Sequence, residues 1–115
     1  MTDCSRPQTL VSTDLQDARL EGADMSGCVL SHARLQGARL DGANLSGANL
    51  QYCNLEGATL RQCKLDGANV GAAQLQGADL RGAVLLRLAG AASNQGTNWA
   101  GVQLAGAVVD DGTYT

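Results

Sequence analysis

Phenylalanine is absent from this chain of 115 residues, and there are only one Trp, two Tyr and one Pro. A globular core packed around aromatic rings is thereby excluded, and the apolar mass must come from Leu, Ala and Val. A single His rules out a two-His metal site, and no constellation of nucleophile, base and paired carboxylates can be assembled around it, so no enzyme activity is expected. No run of ~18 apolar residues occurs, which excludes a transmembrane helix. The opening stretch, MTDCSRPQTL, has no basic segment followed by an apolar one and no cleavage site, and a cytoplasmic location follows by default. Cys4, Cys28, Cys53 and Cys63 are spaced by 24, 25 and 10 residues. No zinc or redox motif has those spacings, so free thiols in a reducing compartment are expected. Strong charge of one sign is missing too. The net charge is -3, and the stretch 8–87 holds seven basic and eight acidic side chains. A nucleic-acid binder carries a basic stripe; none is visible, so neither direct nucleic-acid binding nor membrane binding is expected.

What is present is a repeat. From Gln8 to Arg87 the chain divides into sixteen blocks of five with no insertion. Their centres are Leu10, Leu15, Leu20, Met25 and onward at every fifth position to Leu85, with Val70 the one other exception to Leu. A small residue, usually Ala, stands two before nearly every centre, and Gly stands two after nine of them. Apolar spacings of two and then three fit neither a helix nor a flat strand. Two residues apart keeps a pair of side chains on one side of an extended segment. The next three residues must turn a corner, and Gly supplies the positive φ that a type II turn requires. Repeated, this path coils and closes a narrow interior.

The blocks ADMSG at 23–27, ANLSG at 43–47, ANLQY at 48–52 and ADLRG at 78–82 resemble the pentapeptide-repeat family, whose motif is roughly Ala-(Asp/Asn)-Leu-X-X. CNLEG at 53–57 and ANVGA at 68–72 differ by one conservative change. The resemblance implies an all-β fold: a right-handed quadrilateral β-helix, a solenoid of about four to five coils with four blocks per coil. Residues twenty apart then stack at the ~4.8 Å spacing of paired strands. Four interior ladders follow, beginning at Leu10, Leu15, Leu20 and Met25, each repeating every twenty residues. One domain spans 1–115: residues 1–7 as an N-terminal cap containing Pro7, residues 8–87 as the regular repeats, residues 88–96 as an interruption, and residues 97–111 as further blocks and a C-terminal cap. The interruption reads as a loop or helical turn leaving the wall, or as a coil with one deletion. Trp99 is too large for an interior rung and should plug the C-terminal end. Val84 and Leu86 should point outward.

The four walls differ in what they display. That of Leu20, Leu40, Leu60 and Leu80 carries Arg19, Glu21, Arg39, Asp41, Arg61, Asp79 and Arg81, read as a solvated, self-paired surface. That of Leu10, Leu30, Leu50 and Val70 has no formal charge. On it His32 and Tyr52, twenty apart, replace Gly at a corner. Charge depletion with an aromatic residue marks interface cores, so Val29, His32, Asn49 and Tyr52 form the candidate partner-binding patch. Cys28, Cys53 and Cys63 occupy the small inward position and read as buried hydrophobes. The expected role is a non-catalytic module for binding a protein partner, without cofactor or metal, with a homodimer through the C-terminal end as a further expectation. The alternative is a DNA mimic directed at gyrase, a role known within the resembling family. Four coils span only ~19 Å at the strand spacing, and a nearly neutral body is a poor copy of a duplex bearing a charge every ~1.7 Å.

Overall fold

The computed structural model of the chain describes residues 10–89 and 96–110. The expected N-terminal cap with Pro7 lies outside them, as do residues 90–95 and 111–115. Parallel β-bridges join residues twenty apart throughout: Asp14 to Arg34, Arg19 to Arg39, Asp24 to Asn44, Val29 to Asn49, and onward coil by coil. Five residues per block and twenty per coil give four sides. The bonding repeats at every rung. Leu30 N–H donates to the Asn49 carbonyl at 2.8 Å, Asn49 N–H to the Cys28 carbonyl at 2.9 Å, and Ala33 N–H closes the corner onto the Leu30 carbonyl at 2.9 Å. Each extended stretch is too short for a long strand, so only two regular strands form among the described residues, β1 (Val84–Leu85) and β2 (Val108–Val109), paired in parallel. The corner turns are of the expected kind: positive φ falls on the second residue after each centre, in glycines such as Gly42 (φ 71°) and in seven other residues.

The interior is the four ladders. From Leu20 to Leu85 every centre residue is buried, as are the alanines and cysteines two before the centres from Cys28 to Ala83. Toward the N-terminal end Leu10, Leu15, Ala18 and Ala23 are only partly covered, because no described coil stacks on them from below. No described polar or charged residue is buried as a whole. That is what a tube too narrow for anything but Leu, Ala, Cys, Met and Val requires: an unpaired polar group inside would cost several kcal/mol.

After Leu85 the register is kept through Ala89, which bridges Asn69, and Leu88 takes the small inward position with 9% exposure. The next described bridge, Gln74 to Asn98, spans 24 residues instead of 20. Four residues have therefore been added between Ala89 and Asn98, which does not fit a coil with one deletion. The ladder then resumes, Asp79 to Gln103 and Val84 to Val108. Trp99 consequently sits over Leu75 as a centre residue of the terminal coil, partly buried against the core. It occupies a rung at the open end, where no further described coil limits its size. Val84 and Leu86 are half-buried.

Candidate interaction surface

The uncharged wall owes its shape to one corner column. Ser12, His32, Tyr52 and Ala72 follow each other up the rod at φ 59°, 61°, 61° and 56°, ending at Gly96. The other three columns are mostly glycine. Left-handed backbone costs a non-glycine residue roughly 1–2 kcal/mol, so this column holds four strained residues in a row. Their backbones are pinned: His32 N–H donates to the Gln51 carbonyl and Tyr52 N–H to the Gly71 carbonyl, both at 3.0 Å. The rings of His32 and Tyr52, on neighbouring coils, lie face to face, with centroids 4.8 Å apart and planes 5° from parallel. Both side chains are exposed, Tyr52 to 56%.

The structure brings Val29 and Asn49 onto the same wall as direct bridge partners, both half-buried. Asn49 serves the local backbone, since its Oδ1 accepts the Gln51 N–H at 3.0 Å, and Asn69 does the same for Gly71 one coil on. These Asx turns hold the corner, so Asn49 shapes the wall more than it presents a free amide. Val11, 42% exposed, adds an apolar group in the first coil beyond the four residues of the candidate patch.

The charged wall departs from the self-paired reading. Arg81 grips Asp79 with two bonds, Nε to Oδ1 at 2.9 Å and Nη2 to Oδ2 at 2.8 Å. Arg61 lies between Asp41 at 3.6 Å and Asp79 at 3.5 Å, and its backbone N–H donates to Asp41 Oδ1 at 2.8 Å. The hydrogen bond from Arg81 holds the Asp79 carboxyl below the usual carboxylate range. Asp41, Arg61, Gln62, Arg81, Gly82 and Ala105 line a shallow groove there. In the first two coils, by contrast, Arg19, Glu21 and Arg39 form no ion pair among the described residues, and Arg19 and Arg39 are direct bridge neighbours.

The cysteines also need a correction. Cys53 and Cys63 are free and buried as expected, and burial pushes both thiols up to about 12. The Cys53 thiol donates to the Leu30 carbonyl at 2.7 Å. Cys28 is not a free thiol: it is disulfide-bonded. Spacing alone could not reveal this, because a solenoid brings distant positions together through coil geometry. Among the described residues no group of three or more His, Cys, Asp or Glu could hold a metal ion, and no helix is long and apolar enough to cross a membrane.

The geometry and the comparisons agree on a class. The Pentapeptide repeats family matches in eight copies over residues 10–47 and 43–85. The chain belongs to the pentapeptide repeat family, and its fold is that family's right-handed quadrilateral β-helix. It is similar to a crystallised pentapeptide repeat protein of the cyanobacterium Cyanothece 51142: identity 32%, TM-score 0.58, coverage 90% of this chain and 60% of that one. The chain thus spans about three fifths of that relative's length. A pentapeptide repeat protein of Nostoc PCC 7120 is 33% identical over 94% of this chain and 74% of its own, with a TM-score of 0.40. One from the thylakoid lumen of Arabidopsis thaliana is 26% identical over 90% and 63%, with a TM-score of 0.38. Among curated proteins none matches the chain.

Proposed function

We propose that this protein is a non-catalytic interaction module that binds a protein partner through the uncharged wall, with Val29, His32 and Tyr52 as the contact and Asn49 holding the corner beneath them. The observation that carries this reading is the stacked, exposed His32–Tyr52 pair in a corner column without glycine through four coils. A strained backbone retained at neighbouring sites points toward function, and an exposed aromatic on a charge-free face is what a binding hot spot uses. The rest of the rod supplies rigidity, since its core is filled by ladders that surface residues do not touch. The test is capture with the wild-type protein and with the double variant His32→Gly/Tyr52→Gly, followed by measurement of binding to the captured partner in purified form. A partner that binds both proteins equally sinks the patch.

The same reading includes a second copy at the C-terminal end, where Leu104, Val108 and Val109 are 36%, 50% and 45% exposed. Such an apolar contact is insensitive to salt, and Val108→Asp should abolish it. The cytoplasmic setting expected from the sequence is not part of this reading, because the disulfide at Cys28 favours an oxidising one. The DNA-mimic reading directed at gyrase is the weaker of the two, because acidic and basic groups share the most charged wall of the described rod.

A further inference from the structure

The charged wall holds a pattern that its own ion pairs do not exhaust. Two rows of side chains run up it, one residue before and one after each centre. The first reads Arg19, Arg39, Thr59, Asp79, and the second Glu21, Asp41, Arg61, Arg81. The first row is fixed by direct bridges, Arg19 to Arg39 to Thr59 to Asp79. At three of the four levels the signs are opposite, plus against minus in the first coil and the second and minus against plus in the fourth, and in the third a neutral Thr59 stands against Arg61. Along each row, however, like charges are neighbours at one strand spacing, Arg19 on Arg39, Glu21 on Asp41 and Arg61 on Arg81. Like charges directly across a strand pair are destabilising.

We propose that this wall docks against the same wall of a second copy, side by side and parallel, about a two-fold axis that runs along the rod between the two rows. Such an axis exchanges the rows while keeping the level. Arg19 then meets Glu21 of the second copy, Arg39 meets Asp41, and Asp79 meets Arg81, each contact occurring twice as an isologous interface requires. The parallel arrangement is preferred to the antiparallel one for a specific reason. Arg19, Glu21 and Arg39 are the charges on this wall without an ion pair among the described residues, and only the parallel docking gives all three a partner. Turned end for end, each row would face itself reversed: Arg19 would meet Asp79, Glu21 would meet Arg81 and Asp41 would meet Arg61, but Arg39 would face the uncharged Thr59 and stay unpaired. The corner flanking the second row is Gly22, Gly42, Gln62, Gly82 and Gly106. Four of these five present no side chain that could hold a partner away. This interface is separate from the apolar end and from the His32–Tyr52 wall, and it does not rest on either.

An association of exposed charges weakens as salt screens it, over a length of ~10 Å at 0.1 M ionic strength. The test follows the weight-average mass by sedimentation or light scattering at matched protein concentration in low and high salt. The wild type should gain mass as salt is lowered. Arg19→Glu/Arg39→Glu and Glu21→Arg/Asp41→Arg should each lose that gain, and an equimolar mixture of the two should recover it, because each variant's rows then complement the other's. Arg34→Glu/Lys64→Glu changes the net charge as Arg19→Glu/Arg39→Glu does, but on other walls, and should keep the gain. Circular dichroism checks that each variant is folded. A wild type whose mass ignores salt, a control that loses the gain equally, or a mixture that does not recover it each overturns the proposal.

Discussion

His32 and Tyr52 stack at 4.8 Å because the coil spacing puts them there. Two residues at the same corner position, one coil apart, are held by backbone bonds to Gln51 and Gly71, and their rings meet at the strand-pair distance. The stack therefore needs little ordering beyond what the solenoid already imposes. A double-mutant cycle on His32→Ala and Tyr52→Ala, read by thermal or chemical unfolding, should give a coupling of about 0.5–1.5 kcal/mol, the range for such aromatic pairs. A coupling indistinguishable from zero would mean that the rings are merely adjacent.

The corner columns yield predictions of opposite sign at alanine and glycine positions. Ala72 holds φ 56°. Replacing it with Gly removes a left-handed cost of roughly 1–2 kcal/mol and adds a glycine entropy cost of roughly 0.5–1 kcal/mol. Ala72→Gly should accordingly be neutral to stabilising by up to about 1.5 kcal/mol. At Gly57, where an added Cβ meets nothing within 4 Å but φ is 68°, Ala should destabilise by a similar amount for backbone reasons alone. Gly37→Ala should cost about the same, since its Cβ would meet only the end of the exposed Asp17 side chain, which can move aside. Denaturant midpoints with unchanged slopes would check all three.

Thiol counting tests the cysteine assignments. Cys53 and Cys63 lie inside the tube with thiols pushed up to about 12, so near neutral pH almost no thiolate is available and both are shielded. The native protein should react slowly or not at all with a thiol reagent. After denaturation without reductant, Cys53 and Cys63 should become reactive while Cys28 stays blocked until a reductant is added. Labelling of Cys28 without reductant would refute the disulfide.

The fold was legible because the signal was redundant. No single block of five specifies a coil, but sixteen in register demand a path that turns a corner every five residues, and the resemblance to the pentapeptide-repeat family supplied the four sides that set Leu30 under Leu50. The positive-φ corners were legible for the same reason, since Gly marks most of them. What could not be read came from relations that the repeat does not encode. The interruption after Arg87 was legible, but not that Leu88 and Ala89 stay in register or that four residues are added before Asn98, because blocks resume beyond the gap with nothing to mark where the ladder is left and rejoined. The Cys28 disulfide belongs to no cysteine spacing motif. The distribution of ion pairs on the Arg19–Arg81 wall depends on rotamers: Arg81 reaches Asp79 two residues back, whereas Arg19 does not engage Glu21 in the same way. The candidate patch was legible as a break in the glycine column, but the Asx turn made by Asn49 emerged only from geometry.

Core truncation should separate the middle of the rod from its end. Leu50 is fully buried, with a coil stacked above and below, whereas Leu10 is only partly covered. Leu50→Ala should cost about 2–5 kcal/mol, the range for a large-to-small change in a packed core. Leu10→Ala should cost clearly less, since part of its surface is already in water. Because each coil is stable only against its neighbours, Leu50→Ala should also lower the melting of the whole rod in one transition. Equal costs at the two sites would contradict the stacking order.

Asp79 gives the acid side of the stability profile. Its folded-state carboxyl lies below the ordinary value of 3.8, chiefly through the hydrogen bond from Arg81, with Arg61 adding charge. A depressed folded value means that the folded state binds the proton less readily than the unfolded chain. The contribution is therefore complete above the unfolded value, begins to fade as pH falls below about 4, and is gone once pH has fallen through the folded value. Asp79→Asn should remove that segment of the pH dependence and leave Arg61 and Arg81 facing only Asp41. Unfolding curves for wild type and variant should converge at low pH, separate as pH rises toward about 4, and hold a constant separation above it. Parallel curves across that window would show that Asp79 contributes through shape and not through charge.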